Sequence, residues 1–147
     1  MPYNPYTPMN YVGGETAATR ILIVEDHGLF AQALELVLGQ RLADEGGDGA
    51  EFVRAATVAD GLRIADRHGP FDLAVVDLVL PDGNGADLVR EVKAADPGTG
   101  VAVLSAMVDL SGPLEAGADE AISKMVPLPE IVARLEALAR AGGRPSR

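Results

Sequence analysis

Ala74-Val75-Val76-Asp77-Leu78-Val79-Leu80-Pro81-Asp82-Gly83-Asn84-Gly85 is an apolar run that ends in a turn rich in Pro, Gly, Asp and Asn. Such a run reads as a strand buried on both faces that surfaces at its carboxyl end, and Asp77 stands at that exit. A carboxylate there escapes the full cost of burial. It also lies beside low-dielectric walls, where a metal ion or phosphoryl group would feel its charge strongly.

On either side of this stretch the chain alternates strand-like and helix-like segments. Ile21-Leu22-Ile23-Val24 is a first buried strand closed by Glu25-Asp26, and Gly28 to Leu38 places Phe30, Leu34, Val37 and Leu38 on one helical face. Gly39 to Ala50, with four glycines and three acids, reads as a long flexible connection. Glu51 to Ala56, interrupted by Arg54, reads as an edge strand. Thr57 is a candidate N-cap for a helix over Val58 to Arg67, with Asp60 as a weak capping-box partner, and His68-Gly69-Pro70 stops that helix. Phe71 to Asp77 is the third strand, Asn84 to Ala95 a helix with Leu88, Val89 and Val92 inward, and Val101 to Leu104 a fourth strand with Ser105 at its exit. Between Ser105 and Gly117 the signal weakens, because Gly112-Pro113 breaks what is at most a short helix. A fifth strand, Glu120 to Ser123, ends at Lys124, and Pro127 to Ala141 is a helix burying Ile131, Leu135 and Leu138.

Strands and helices alternating in this way imply an α/β fold, a doubly wound parallel sheet covered by helices on both faces. The right-handed crossover rule favours the flavodoxin-like (βα)5 arrangement with strand order 2-1-3-4-5, which also places the mixed second strand on an edge. At 147 residues and 48% hydrophobic content one domain is expected: an irregular tail at 1–19, the folded unit at 20–141 and a linker or frayed end at 142–147.

The net charge of -10 argues against direct nucleic-acid binding by this chain. With no cysteine, disulfides and thiolate metal sites are excluded, and two histidines cannot build a typical zinc site without carboxylate help. No apolar run is long enough to span a membrane and the N-terminus lacks signal-peptide order, so a cytoplasmic location without membrane contact is expected.

In the expected topology the carboxyl ends of the first and third strands flank the switch point where ligands bind. Asp26 and Asp77 then face each other across about one strand spacing, ~5 Å, with Glu25 close by. Like charges so near either raise one pKa or recruit a divalent cation, and Mg2+ suits a couple of carboxylates, retained water and phosphate oxygens. Ser105 and Lys124, at the ends of strands four and five, suit a phosphoryl group held over Asp77. Singly, each residue has a plainer reading: Asp26 as a helix cap, Asp77 as a turn former, Ser105 as a cap, Lys124 as a solvated strand end. The conjunction at one face of the sheet is more specific. Neither Gly-x-x-x-x-Gly-Lys-Ser/Thr nor Gly-x-Gly-x-x-Gly follows the first strand, and no Asp-x-Asp pair marks a haloacid dehalogenase-type phosphatase.

These motifs make residues 20 to 140 resemble a receiver domain of the two-component response regulators, the CheY-like family. They are Ile-Leu-Ile-Val-Glu25-Asp26, Val-Val-Asp77-Leu-Val-Leu-Pro81, Val-Leu-Ser105-Ala and Gly117-Ala-Asp-Glu-Ala-Ile-Ser-Lys124. Asp26-His27 followed by Leu29-Phe30, and the Lys-x-x-Pro opening of the last helix, are most similar to the NarL or LuxR type. The resemblance implies that Asp77 accepts a phosphoryl group from a sensor histidine kinase or phosphotransfer protein. It implies Mg2+ on Asp26, Asp77 and the carbonyl of Val79, Glu25 acting through water, Lys124 clamping a phosphoryl oxygen and Ser105 carrying the change of state outward. Val79 and Met107 would flank the path of the attacking water. A downstream protein partner or a missing output domain is implied, with a homodimer left open. The chemistry is then self-catalysed phosphotransfer and autodephosphorylation rather than that of an enzyme acting on a separate substrate.

Three departures from the family pattern fall on the output side. Ala121 occupies the usual aromatic switch position, Met125 follows the lysine where proline is common, so a cis peptide is not expected there, and the Ser105–Gly117 stretch is short. They keep open an alternative, a phosphorylation-independent interaction module of the same fold. A small metal-dependent phosphatase fits poorly, since no separate general base or substrate pocket is apparent.

Overall fold

A computed structural model describes residues 18–44, 47–106 and 111–141. Five parallel strands form one sheet: β1 (Thr19–Val24), β2 (Ala50–Ala55), β3 (Leu73–Asp77), β4 (Gly100–Ser105) and β5 (Glu120–Ser123). Five helices alternate with them: α1 (Gly28–Ala43), α2 (Val58–His68), α3 (Gly85–Ala95), α4 (Ser111–Glu115) and α5 (Leu128–Ala141). The strand order is β2-β1-β3-β4-β5, as expected, with every neighbouring pair parallel.

The sheet is apolar on both faces because successive side chains point to opposite sides. Leu22, Val24, Ala74, Val76, Val101 and Val103 face one core with Ile64, Leu88 and Val89 from α2 and α3. Ile21, Ile23, Leu73, Val75, Ala102 and Leu104 face the other with Leu34 and Leu38 of α1 and Ile131 and Leu135 of α5. β2 lies on an edge and alternates accordingly, with Val53 buried and Arg54 exposed beside Glu35 of α1.

Several boundaries depart from the sequence expectation. β1 opens at Thr19, whose backbone N–H donates to the Gly49 carbonyl, so the expected tail overlaps the sheet; residues 1–17 and 142–147 lie outside the described residues. α1 runs on through Gly39 to Ala43, into the stretch read as a connection. Leu42 continues the Leu34–Leu38 spacing into the core, and its burial outweighs the modest helix penalty of Gly39. β3 begins at Leu73 rather than Phe71. α4 is short, but Gly112-Pro113 lies inside it rather than breaking it: proline in a first turn forfeits no intrahelical donor, and Pro113 is buried.

Thr57 caps α2, its hydroxyl accepting from Asp60 N–H at 3.0 Å. Asp60 does not complete a capping box. Its carboxylate pairs with Arg63, and the remaining cap comes from Asp82, which accepts from Val58 N–H at 2.8 Å and Ala59 N–H at 3.0 Å. These bonds, that from Ala59 first, hold the Asp82 carboxyl below its ordinary pKa. They also tie the turn after β3 to the start of α2.

Gly85 begins α3 directly behind Asp77. A Cβ there would meet the Asp77 carbonyl oxygen and stand 2.8 Å from Val76 Cγ1, so only glycine lets the helix start so close to the strand end. Gly85→Ala is therefore expected to destabilise the fold by about 1–3 kcal/mol in chemical denaturation, as overpacking against backbone does.

Candidate functional site

β1, β3 and β5 deliver their C-terminal residues to the same edge of the sheet. Val24 and Val76 are register partners, so Glu25 and Asp77 each follow a paired strand residue immediately. Both carboxylates are buried, Glu25 at 4% exposure and Asp77 at 7%. Burial of two such groups demands a compensating charge. Lys124 supplies it: its Nζ lies 2.8 Å from Glu25 Oε1 and 3.2 Å from Asp77 Oδ2, and 5.0 Å from the centre of the Phe30 ring.

The turn after β5 fixes that lysine. Lys124 N–H donates to the Ser105 carbonyl at 2.8 Å, and Ser123 holds the next turn by accepting Met125 N–H on Oγ and Val126 N–H on its carbonyl. Burial alone would lower the Lys124 ammonium, but the hydrogen bond and charge of Glu25, followed by Asp77, more than offset this and leave its pKa above the ordinary lysine value. Asp77 is held at both oxygens, since Oδ1 accepts from Val79 N–H at 3.3 Å while Oδ2 takes the lysine.

The remaining expected residues fall around this pair. Asp26 is exposed in the loop after β1, and Val79 is exposed at the start of a two-residue antiparallel ladder in which it pairs with Asn84. Ser105 is buried at the end of β4, opposite Ser123. The tight donor group among the described residues is Glu25, Asp26 and His27, whose ligand atoms all lie within 4.8 Å of one another. Asp77 joins it through Lys124. His27, read in the sequence only as part of a family-like dipeptide, was the residue the pattern did not single out; its place directly after two acids at a strand exit was the available signal. Ala121 is half-buried beside Val103, and among the described residues the cis peptide bond is Gly69–Pro70, not the one after Lys124. Met107 lies outside the described residues.

A family model described as the response regulator receiver domain matches residues 21–136. The chain belongs to the response regulator receiver family. Among curated relatives, the virulence transcriptional regulatory protein PhoP of Salmonella typhimurium is 36% identical over 126 residues, covering 82% of this chain and 52% of its own length. The KDP operon transcriptional regulatory protein KdpE of Escherichia coli is 36% identical over 124 residues, covering 83% and 52%. The chain thus spans about half the length of these relatives. A CheY-like receiver domain protein from Methanospirillum hungatei superposes with a TM-score of 0.74 at 26% identity, covering 88% of this chain and 99% of that one. The response-regulator fold read from the sequence is thereby shown, whereas the kinship with the NarL or LuxR type is not what these relatives favour, PhoP and KdpE being OmpR-type regulators. Receiver domains accept phosphoryl groups in two-component signalling, generally bind Mg2+ at their acidic pocket, and belong to regulators that partner with histidine kinases. No helix among the described residues is long and apolar enough to cross a membrane.

Removing the cation from between two buried carboxylates should be felt in the whole domain. Lys124→Ala is expected to lower stability at neutral pH by about 1–2 kcal/mol, solvent reaching the ammonium limiting the loss. Because the folded pKa is raised, the contribution of Lys124 is complete below the ordinary lysine value of 10.5 and is lost as pH rises through the folded value. Denaturant titrations of both proteins should therefore differ by a constant amount from neutral pH to about pH 10 and draw together as pH rises through the raised Lys124 value.

Proposed function

We infer that this chain is a phospho-accepting receiver in which Asp77 takes the phosphoryl group. What supports the reading is a buried carboxylate at a strand exit, oriented by Val79 N–H and by Lys124, beside a second buried acid. An Asp77 oxygen attacks the phosphorus of a phosphohistidine on a sensor kinase or phosphotransfer protein. The P–O bond forms as the P–N bond breaks, the departing imidazole nitrogen takes up a proton, and an acyl phosphate remains. Water later cleaves that acyl phosphate and restores the carboxylate.

Lys124 would follow the charge, moving from Asp77 Oδ2 toward a phosphoryl oxygen while Glu25 retains its hold on the ammonium. The acids present fit Mg2+, a hard ion that takes carboxylate oxygens and keeps water; Asp26, Asp77 and the carbonyl of Val79 would hold it, with Glu25 acting through water. When bound, the ion neutralises charge on donor and acceptor. Ser105, buried at the end of the strand between those that lead to Asp77 and Lys124, would be the hydroxyl that meets the new phosphoryl group. Signalling would pass through an atypical α4-β5-α5 face, given a five-residue α4 and Ala121. In this reading the receiver unit runs from Thr19, where β1 opens, to Ala141, and 142–147 form a linker to an output domain, or else the output is a separate protein partner.

A second reading, a phosphorylation-independent interaction module, is favoured by Ala121 and Met125 together with the short α4. Treatment with acetyl phosphate and Mg2+ separates the two. Mass spectrometry should find one phosphate on the wild-type chain, mapped to Asp77, and none on Asp77→Asn; no adduct on wild type, or an equal adduct on the variant, contradicts the proposal.

A further inference from the structure

Lys124 has a third neighbour besides its two acids, and that neighbour carries no charge. Its Nζ lies 5.0 Å from the centre of the Phe30 ring, with Glu25 Oε1 at 2.8 Å and Asp77 Oδ2 at 3.2 Å. An ammonium has three N–H donors, and two carboxylates engage two of them. The ring offers its negative face to the same cation. The lysine side chain is only 19% exposed, so water screens this attraction less than it would on an open surface.

The fold, not the lysine, sets the place of the ring. Side chains on a helix lean toward its N-terminus and cover the preceding turn, and α1 starts at Gly28, shortly after the exit of β1. Ala31 N–H donates to the His27 carbonyl at 3.0 Å, which ties the first turn of α1 to the loop after β1. One turn further on Leu34 is fully buried, and Phe30 packs, partly buried, against the core cluster that holds Leu34, Ile23 and Ile122. An aliphatic side chain would serve that packing. It would not supply the face turned to the ammonium.

We propose that Phe30 is a positioning residue for phosphoryl transfer to Asp77: its ring face, together with Glu25, steadies the Lys124 ammonium while one N–H passes from Asp77 Oδ2 to a phosphoryl oxygen. The role rests on the phospho-acceptor reading of Asp77. A donor aimed before the reaction needs no reorganisation when charge moves onto the phosphoryl oxygens, so the ring acts through the lysine and touches no reacting atom. Without the ring the ammonium keeps its two acids but gains water and freedom to turn. Transfer then slows, while Mg2+ affinity, which depends on oxygen donors, is kept.

The test is the rate at which acetyl phosphate with saturating Mg2+ labels Asp77, followed by mass spectrometry. Wild type is compared with Phe30→Leu, Phe30→Tyr and Phe52→Leu, and with chains carrying mono-, di- or trifluorophenylalanine at position 30 alone. Phe30→Leu should be slowed about threefold to tenfold, and Phe30→Tyr should keep most of the rate. Phe52→Leu, which removes a ring close to Gly39 of α1 and far from the lysine in the chain, should label as wild type does. Fluorination preserves the shape of the ring and drains negative charge from its face, so the rate should fall stepwise with each fluorine. In NMR spectra of the wild type the Lys124 Hε resonances should lie upfield through the ring current and return toward ordinary values in Phe30→Leu. Equal labelling rates in wild type and Phe30→Leu, or a rate indifferent to fluorination, overturn the proposal. An equal loss in Phe52→Leu does so too, because Phe30 would then be a packing residue only. A wild-type chain that takes no phosphate refutes the phospho-acceptor reading and this role with it, whereas a labelled wild type with a flat fluorine series refutes the role of Phe30 alone.

Discussion

One ammonium group between two buried carboxylates holds the functional end of this domain together. Glu25 and Asp77 end adjacent strands, and neither tolerates burial unless a cation lies between them. Lys124 reaches them from the far side of the sheet across β4, so the pairing ties β1, β3 and β5 at one rim. The rest of the site follows from this constraint. Phe30 of α1 lies over the same ammonium, Ser105 anchors its backbone, and Gly85 keeps α3 close enough to hold the exit of β3.

The arrangement also suits a charge-driven switch. A lysine shared between two acids can change allegiance when one of them acquires a phosphoryl group, because the new oxygens carry more charge at a similar distance. What that movement can reach is restricted here. Ala121 offers no ring to turn inward, and α4 is a single short element whose Pro113 is buried. The turn holding Asp82 against the start of α2 gives a different mechanical link, from the loop beside Asp77 to α2 in the same helix layer as α3.

The fold was legible because β1, β3 and β4 are apolar on both faces, a pattern that parallel sheets require and amphipathic alternatives do not produce. The acids, hydroxyl and lysine were legible because each closes a strand. What the sequence hid was of two kinds. The extension of α1 past Gly39 depends on the burial of Leu42, a tertiary effect that a run of glycines and acids masks locally. The partner choices of Asp82 and His27 depend on which groups meet in space: Asp82 reads as a turn residue and caps a helix 23 residues earlier in the chain, while His27 reads only as part of a family-like dipeptide and faces two carboxylates. Likewise nothing in the spacing of Glu25 indicated that Lys124 would pair with it more closely than with Asp77.

The central claim is that Glu25, Asp77 and Lys124 form one electrostatic unit poised for a phosphoryl group. Its most direct test is an amide NMR titration with beryllofluoride and Mg2+, a non-covalent mimic of the phosphorylated state. The account requires the largest shifts at residues 25–27, 77–79, 105 and 124, absent in Asp77→Asn. Shifts scattered elsewhere, or none at Asp77 and Lys124, would contradict it.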